Sequence, residues 1–120
     1  MIPLLIWNAR GLCAQVKADL LATEVSKHKV AVIAILDHKQ NPTRISELSR
    51  TIKLHGSMHA DPINRHIWIF WHRNSTVDLV QADNQFITTK VTQGDISFFM
   101  SIYESFDSQQ REILWKYLNA

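Results

Sequence analysis

The fold is decided by one apolar stretch, Val30-Ala31-Val32-Ile33-Ala34-Ile35-Leu36, which ends at the polar residues Asp37-His38-Lys39. A short, continuous run of apolar and β-branched residues is typical of a strand that is buried on both faces of a sheet. A bilayer span needs roughly 20 apolar residues, so this stretch is too short to cross a membrane. It predicts the central strand of a globular domain.

A second apolar stretch, Pro3-Leu4-Leu5-Ile6-Trp7, comes earlier and ends at Asn8. Between the two stretches, Ala14–His28 predicts an amphipathic helix, because its apolar residues recur at three- and four-residue spacing. These residues are Val16, Leu20, Leu21 and Val25. Strand, helix and strand in this order predict two parallel strands joined by a right-handed crossover. Ligands gather at the carboxyl ends of such strands, which here carry Asn8 and Asp37.

The rest of the chain predicts one more short helix and then a run of strands. Asn41-Pro42-Thr43 is typical of a turn and cap before a helix that buries Ile45 and Leu48. His55-Gly56 and Asp61-Pro62 predict loops. A four-strand antiparallel meander is predicted over residues 67–71, 77–80, 86–91 and 96–103, with a turn at 93–95, and then a terminal helix over 107–118. The expected fold class is α/β with a mixed sheet.

Composition excludes several classes of protein. The chain has 120 residues, 46% hydrophobic and 20% charged, with three Gly and three Pro, which indicates one ordered domain. The net charge of +2 is too weak to indicate a nucleic-acid partner by itself. Cys13 is the single cysteine, so an internal disulfide is excluded and a reducing compartment, cytosolic or nuclear, is expected. Residues 1–7 lack the basic leader of a signal peptide.

The strand ends also suggest a chemistry. Phosphodiester hydrolysis needs a hard divalent cation, whose ligands are carboxylate and amide oxygens. Asn8 and Asp37 follow neighbouring buried strands and can project into one small pocket. Polar residues end most strands, however, so spacing alone favours ordinary polar strand ends over a metal site.

The identity of the surrounding residues changes that weighting. Ile6–Leu12 resembles the opening "WN-x-RGL" of the endonuclease/exonuclease/phosphatase superfamily, in its plant LINE-type retroelement form. His28–Lys39 resembles "hKPDIxxLxETK", and His66–Trp71 resembles "RIWxxW". Ser101–Ser105, followed by Arg111–Trp115, resembles "xVYxSN…RRxLW". Four segments in the family's order cover nearly the whole chain.

The resemblance implies a fold and a set of roles. Residues 1–120 would form one partial DNase I-like domain: the mixed-sheet half of a four-layered α/β/β/α sandwich, with two early helices and one terminal helix. Asn8 would orient phosphate or support the metal site. Asp37 stands where the family has a Glu that ligates magnesium (Mg2+), and Tyr103 would hydrogen-bond the substrate phosphate. The family's reaction is attack of an activated water on phosphorus.

Departures from the family pattern put catalysis in doubt. Asp37 is one methylene shorter than the Glu it replaces, and Phe106 replaces an Asn. The "KPDI" Pro and Asp are replaced by Val30 and Ala31. The family's "GDFN" motif and its carboxyl-terminal Asp-His pair, which supplies acid/base chemistry, have no counterpart before Ala120. We therefore expect a truncated, degenerate phosphodiesterase domain that does not catalyse alone.

Other features have ordinary structural interpretations. His55 and His59 have zinc-ligand spacing only within a helix, and Gly56 between them disfavours one. The tryptophans resemble base-stacking platforms, but alternation along Ile67–Trp71 favours core packing for most of them. Basic residues around the early helices indicate a solvated helix face more than a phosphate-tracking patch. These are Lys17, Lys27, Lys29, Arg44, Arg50 and Lys53.

Two alternatives to a degenerate enzyme stay open. In the first, the half-domain binds DNA, RNA or a protein without chemistry. In the second, two copies associate through a sheet face that the missing half would otherwise cover, because Ile33–Leu36 and Ile67–Trp71 are apolar on both faces. No membrane partner is expected.

Overall fold

Two sheets and two α-helices form the part of the chain that the computed structural model describes, which is residues 2–8, 15–36, 38, 41–60, 63–103 and 113–118. The elements are β1 (Ile2–Asn8), α1 (Gln15–His28), β2 (Val32–Leu36), α2 (Ile45–Ile52), β3 (Gly56–Ala60), β4 (Asn64–Trp71), β5 (Thr76–Ala82), β6 (Phe86–Gln93), β7 (Ile96–Tyr103) and β8 (Ile113–Leu118). The α/β class is confirmed. Neither helix in these ranges is long and apolar enough to span a bilayer.

The first sheet is mixed and has the strand order β3-β4-β2-β1-β8. β1 and β2 are parallel, in register from Leu4 opposite Val32 to Asn8 opposite Leu36, as predicted. β4 runs antiparallel to β2 on its other side. β2 is therefore the middle strand, and every residue of it is buried, as its continuous apolar sequence predicts.

The second sheet is antiparallel, with the order β5-β6-β7. Gly94 has φ +61° in the turn between β6 and β7, at the position where the sequence predicts a turn. The four later strands were expected to form one continuous meander, but β4 belongs to the first sheet. The reason is burial: Ile67–Phe70 are buried on both faces, whereas β5–β7 mix buried and exposed residues.

The two sheets and the helices form three layers. One core cluster lies between the helices and the first sheet, and includes Leu21, Val25, Leu48, Ile52, Ile33, Ile35, Trp68 and Phe70. A second lies between the sheets, and includes Val32, Ala34, Ile67, Ile69, Val77, Ile87, Val91 and Ile102. Both faces of β2 and β4 are thus covered within one chain. The expectation that these strands leave an apolar face uncovered is wrong.

Two predictions about helices are also wrong. The terminal segment, predicted as a helix over 107–118, contains strand β8, which pairs antiparallel with β1 from Ile2–Leu118 to Trp7–Ile113. β8 supplies hydrogen bonds to what would otherwise be an open sheet edge. The loop predicted at His55-Gly56 is present up to His55, and Gly56 begins strand β3. Leu20, predicted on the buried face of α1, is 51% exposed, because Leu21 and Val25 already face the sheet.

Candidate functional site

Asn8 lies where the sequence places it, at the carboxyl end of β1. Because β1 and β2 are parallel, Asn8 is directly opposite Leu36, and Leu36 in turn is opposite Ile67 of β4. The Asn8 side chain is partly buried. Asp37 follows Leu36 in the chain but lies outside the described residues, so the structure does not test its predicted role as a metal ligand.

Tyr103 ends β7, in the other sheet, and its side chain is 66% exposed. It lies opposite Phe86 in the register, and the two rings are 5.2 Å apart between centroids. Asp83 closes the turn before Phe86 by donating its backbone N–H to the Phe86 carbonyl at 2.9 Å. Asn64, which begins β4, donates from Nδ2 to the Asp83 carbonyl at 2.9 Å.

The chain of contacts through Asn64 places Tyr103 at the same end of the sandwich as Asn8. We call this end, with Asn8, His38, Asn64 and Tyr103, the carboxyl edge. Asn8 and Tyr103 come from different sheets, so the edge lines a junction between the two layers.

Asn64 organises this edge and was not singled out in the sequence. Its side chain is 1% exposed, and its Oδ1 accepts hydrogen bonds from the backbone N–H groups of His66 at 3.0 Å and Ile67 at 3.1 Å. An Asn that accepts from backbone groups two and three residues later is an Asx-type turn. The position just after Asp61-Pro62 and just before an apolar strand is the signal that predicts such a turn.

His38 is the buried titratable group of the edge. Its side chain is 1% exposed, and its ring stacks on Trp68 with centroids 3.9 Å apart and planes 23° apart. Burial lowers the pKa of His38 from 6.5 to about 4, helped by the positive charges that His66 and His59 can carry. The ring is therefore neutral at pH 7. The sequence shows His38 only as one of the polar residues that end the Val30–Leu36 stretch, and nothing in it indicates burial.

The described residues do not by themselves form a magnesium site. Asn8 offers an amide oxygen, which suits a hard cation, but imidazole nitrogens such as that of His38 suit softer metals. Among the residues that the structure describes, no group of three or more His, Cys, Asp or Glu is placed to hold a metal ion. A carboxylate from outside the described ranges, of which Asp37 is the nearest in sequence, would have to complete the donor set.

The other candidate residues have structural roles. His55 precedes strand β3, and its Nε2 lies 3.2 Å from the guanidinium of Arg73, while His59 is exposed on β3. The helix that zinc spacing would need is absent from this described segment. Trp68 is 2% exposed and packs in the core, as expected. Trp71 is partly buried and packs over Gly56.

Comparison with known proteins shows the fold. No protein-family model matches the sequence, and no curated protein sequence matches it significantly. Several solved structures do match. One is the endonuclease domain of TRAS1, a telomere-specific non-LTR retrotransposon. It has a TM-score of 0.56 at 13% identity, and the match covers 87% of this chain and 46% of that chain. TDP2 of D. rerio, complexed with a single strand DNA product, has a TM-score of 0.62 at 14% identity, covering 90% and 48%.

A third match is an endonuclease/exonuclease/phosphatase family protein from Leptotrichia buccalis, with a TM-score of 0.51 at 11% identity, covering 84% of this chain and 52% of that chain. The chain thus has the DNase I-like fold of these domains and spans about half of their length. At these identities the likeness establishes the fold alone.

Proposed function

We propose that residues 1–120 are the amino-terminal half of a metal-dependent phosphodiesterase domain that acts on nucleic acid. The observation that carries the proposal is the likeness of nearly all of this chain to about half of an endonuclease domain and of a DNA-bound TDP2. The order of the four motif segments supports the amino-terminal assignment. Similarity to a non-LTR retrotransposon endonuclease supports an origin in a LINE-type element. The amino-acid sequences of the motif segments favour the plant branch.

In this proposal, the carboxyl edge contacts a phosphate of the substrate. Tyr103 is 66% exposed, and its hydroxyl donates a hydrogen bond to a phosphate oxygen, while the Asn8 amide orients the same group. Asp37, immediately after β2, supplies the carboxylate that holds magnesium. Magnesium, when bound, supplies neutralisation of negative charge on the phosphate oxygens.

We further propose that this half does not cleave DNA by itself. Hydrolysis needs a group that takes the proton from the attacking water. His38 is neutral at pH 7 and thus has the right protonation state, but it is 1% exposed and stacked on Trp68, so it cannot reach a substrate at the surface. The family's acid/base pair would come from the other half of the domain.

Nicking of supercoiled plasmid tests this directly. The purified chain is incubated with plasmid and magnesium beside an Asp37→Ala variant, and EDTA is added to matched samples. We expect no nicking above the buffer control for either protein. Nicking that needs magnesium and disappears with Asp37→Ala would show that this half is itself catalytic.

An aromatic pair, exposed Tyr103 and half-buried Phe86, favours a second function, which is binding of single-stranded nucleic acid without cleavage. Phe86 and Tyr103 present neighbouring rings at the carboxyl edge, and bases stack on such rings. In this case Tyr103→Ala weakens the affinity for a short single-stranded DNA by about tenfold or more, and affinity falls as salt rises. Phe99→Ala is the matched control, because Phe99 is 68% exposed on the same strand but away from the edge. A flat, millimolar affinity that ignores Tyr103 would exclude this function.

A further inference from the structure

A cavity lies at the end of the sandwich opposite the carboxyl edge, where both helices terminate. Its volume is about 920 Å³, within the range of roughly 300–1,000 Å³ that is typical of small-molecule sites. Its lining includes Pro3 at the start of β1, Ala31 just before β2, and His72 just after β4. The cavity therefore opens on the amino ends of the two parallel strands, away from Asn8 and Tyr103.

The charged residues of this cavity all have one sign. Lys27, Lys29 and Lys53 line it, and none of the described residues that line it is Asp or Glu. Glu24, one turn earlier on α1, is engaged with His28 at 3.3 Å. Three ammonium groups around one concave, partly apolar surface create a positive potential that attracts anions.

Both helices close their carboxyl ends with backbone hydrogen bonds. Lys29 and Lys53 adopt left-handed backbone conformations, with φ of 52° and 60°, directly after α1 and α2. The backbone N–H of Val30 reaches the Val25 carbonyl at 3.1 Å, and that of Leu54 reaches the Ser49 carbonyl at 3.2 Å. Each helix therefore closes its last turn with backbone bonds of the Schellman type, where Gly is the usual residue. The lysine side chains are not needed as caps.

The helix C-termini carry partial negative charge, which opposes an anion. Each terminus is equivalent to about half an elementary charge, and the effect fades within one turn. Two such ends offset about one of the three lysine charges, so the cavity stays positive. Apolar side chains contribute the remaining surface, among them Val25, Val30, Ile52 and Leu54.

His72 adds a polar donor to the cavity. Its Nδ1 accepts a hydrogen bond from the backbone N–H of Asn74 at 3.2 Å. In the neutral ring the proton is then on Nε2, which leaves that nitrogen as a donor. Asn74 and Gln93 line the same surface with neutral polar groups.

We propose that this cavity binds an amphipathic anion, that is, a carboxylate, phosphate or sulfonate attached to an apolar body. The anionic group lies among Lys27, Lys29 and Lys53, and the apolar body lies against Val30 and Leu54. This site is independent of the proposed phosphodiesterase function, since it shares no residue with the carboxyl edge.

Fluorescent probes of the right shape test the site. 8-Anilinonaphthalene-1-sulfonate is an apolar body with one sulfonate, and N-phenyl-1-naphthylamine is nearly the same body without charge. The triple variant Lys27→Gln/Lys29→Gln/Lys53→Gln should weaken the sulfonate probe by about tenfold and leave the neutral probe within about twofold. The control Lys17→Gln/Arg50→Gln/Lys90→Gln removes the same number of charges elsewhere and should leave both probes within about twofold.

A second variant tests the cavity rather than its charge. Ser26 lines the cavity and is exposed, so Ser26→Trp adds bulk to the space while the lysines and the core residues stay unsubstituted. We expect both probes to weaken by about tenfold while circular dichroism is unchanged. The proposal is overturned if the sulfonate probe does not bind the wild-type chain, if the two triple variants weaken it equally, or if Ser26→Trp changes neither probe.

Discussion

At the scale of single residues, the Asn64 side chain makes three hydrogen bonds, one of which links β4 of the first sheet to the turn between β5 and β6 of the second. It donates to Asp83 and accepts from the backbone N–H groups of His66 and Ile67. Asn64→Ala leaves buried backbone groups without these partners, so we expect the free energy of unfolding to fall by about 2–4 kcal/mol. Urea denaturation measures it. Asn84→Ala, at an exposed turn position, is the control and should stay within about 0.5 kcal/mol.

His38 makes stability depend on pH. Its pKa is about 4 in the folded chain and 6.5 when unfolded, so between these values the unfolded chain binds more protons. Above pH 6.5, neutral, buried His38 makes its full contribution to the free energy of unfolding. This contribution falls as pH drops and is fully lost below about pH 4. In EDTA, between pH 7 and pH 4.5, the wild type should lose roughly 2–3 kcal/mol more than His38→Gln. Equal losses in both proteins would show that His38 is not the group responsible.

Residue positions were predictable where they follow from strand ends. Asn8 could be placed because a buried strand stops there, and Tyr103 because it ends a strand that matches a motif. The burial of His38 could not be predicted, because it depends on Trp68 from a strand far along the chain. The same holds for Asn64, whose partner Asp83 lies 19 residues away.

At the scale of elements, the two helices end with strained lysines. An L-residue in the left-handed region costs about 1 kcal/mol relative to Gly, and part of this is offset by the greater freedom of Gly in the unfolded chain. Lys29→Gly and Lys53→Gly should each stabilise the fold by about 0.5 kcal/mol. Lys27→Gly, inside α1, should destabilise it by about 1 kcal/mol. Thermal unfolding of the three variants measures this, and destabilisation by all three would contradict the left-handed helix ends.

Strand β3 depends on Gly56. A Cβ at this position would overlap the ring of Trp71, which lies across the strand pair. Gly56→Ala should therefore cost about 1–3 kcal/mol, because the ring must leave its place. In a Trp71→Leu background the same substitution should cost less than about 0.5 kcal/mol. A cost that persists without the indole ring would mean that backbone flexibility, not contact, requires Gly56.

Elements whose apolar residues recur at a clear spacing were predictable from the sequence. Elements that form because they pair with a neighbouring strand were not. α1, β2 and β7 follow from their own apolar patterns. β3 has few apolar residues, and it forms a strand because it pairs with β4. The sequence of β8 is compatible with either a helix or a strand. It forms a strand because it pairs with the edge of β1, which would otherwise lack hydrogen-bond partners.

At the scale of the whole molecule, a chain about half as long as the domains it resembles covers both faces of its own central strands. The helices cover one face of the first sheet and β5–β7 cover the other, so the central strands need no second copy. The sequence predicted the α/β class and the parallel pair at the centre. It did not predict two separate sheets, because strand pairing between distant segments leaves no local pattern.

We propose above that the carboxyl edge contacts a substrate phosphate with the help of magnesium. The most direct measurement is a nuclear magnetic resonance titration of the 15N-labelled chain with a short single-stranded DNA, in magnesium and then in EDTA. We expect magnesium-dependent changes in the chemical shifts of the backbone amides of Asn8, His38 and Tyr103. The amide chemical shifts of Lys29 and Lys53 should stay unchanged. Shifts that cluster at the lysine cavity, or no shift at the carboxyl edge at millimolar DNA, would contradict it.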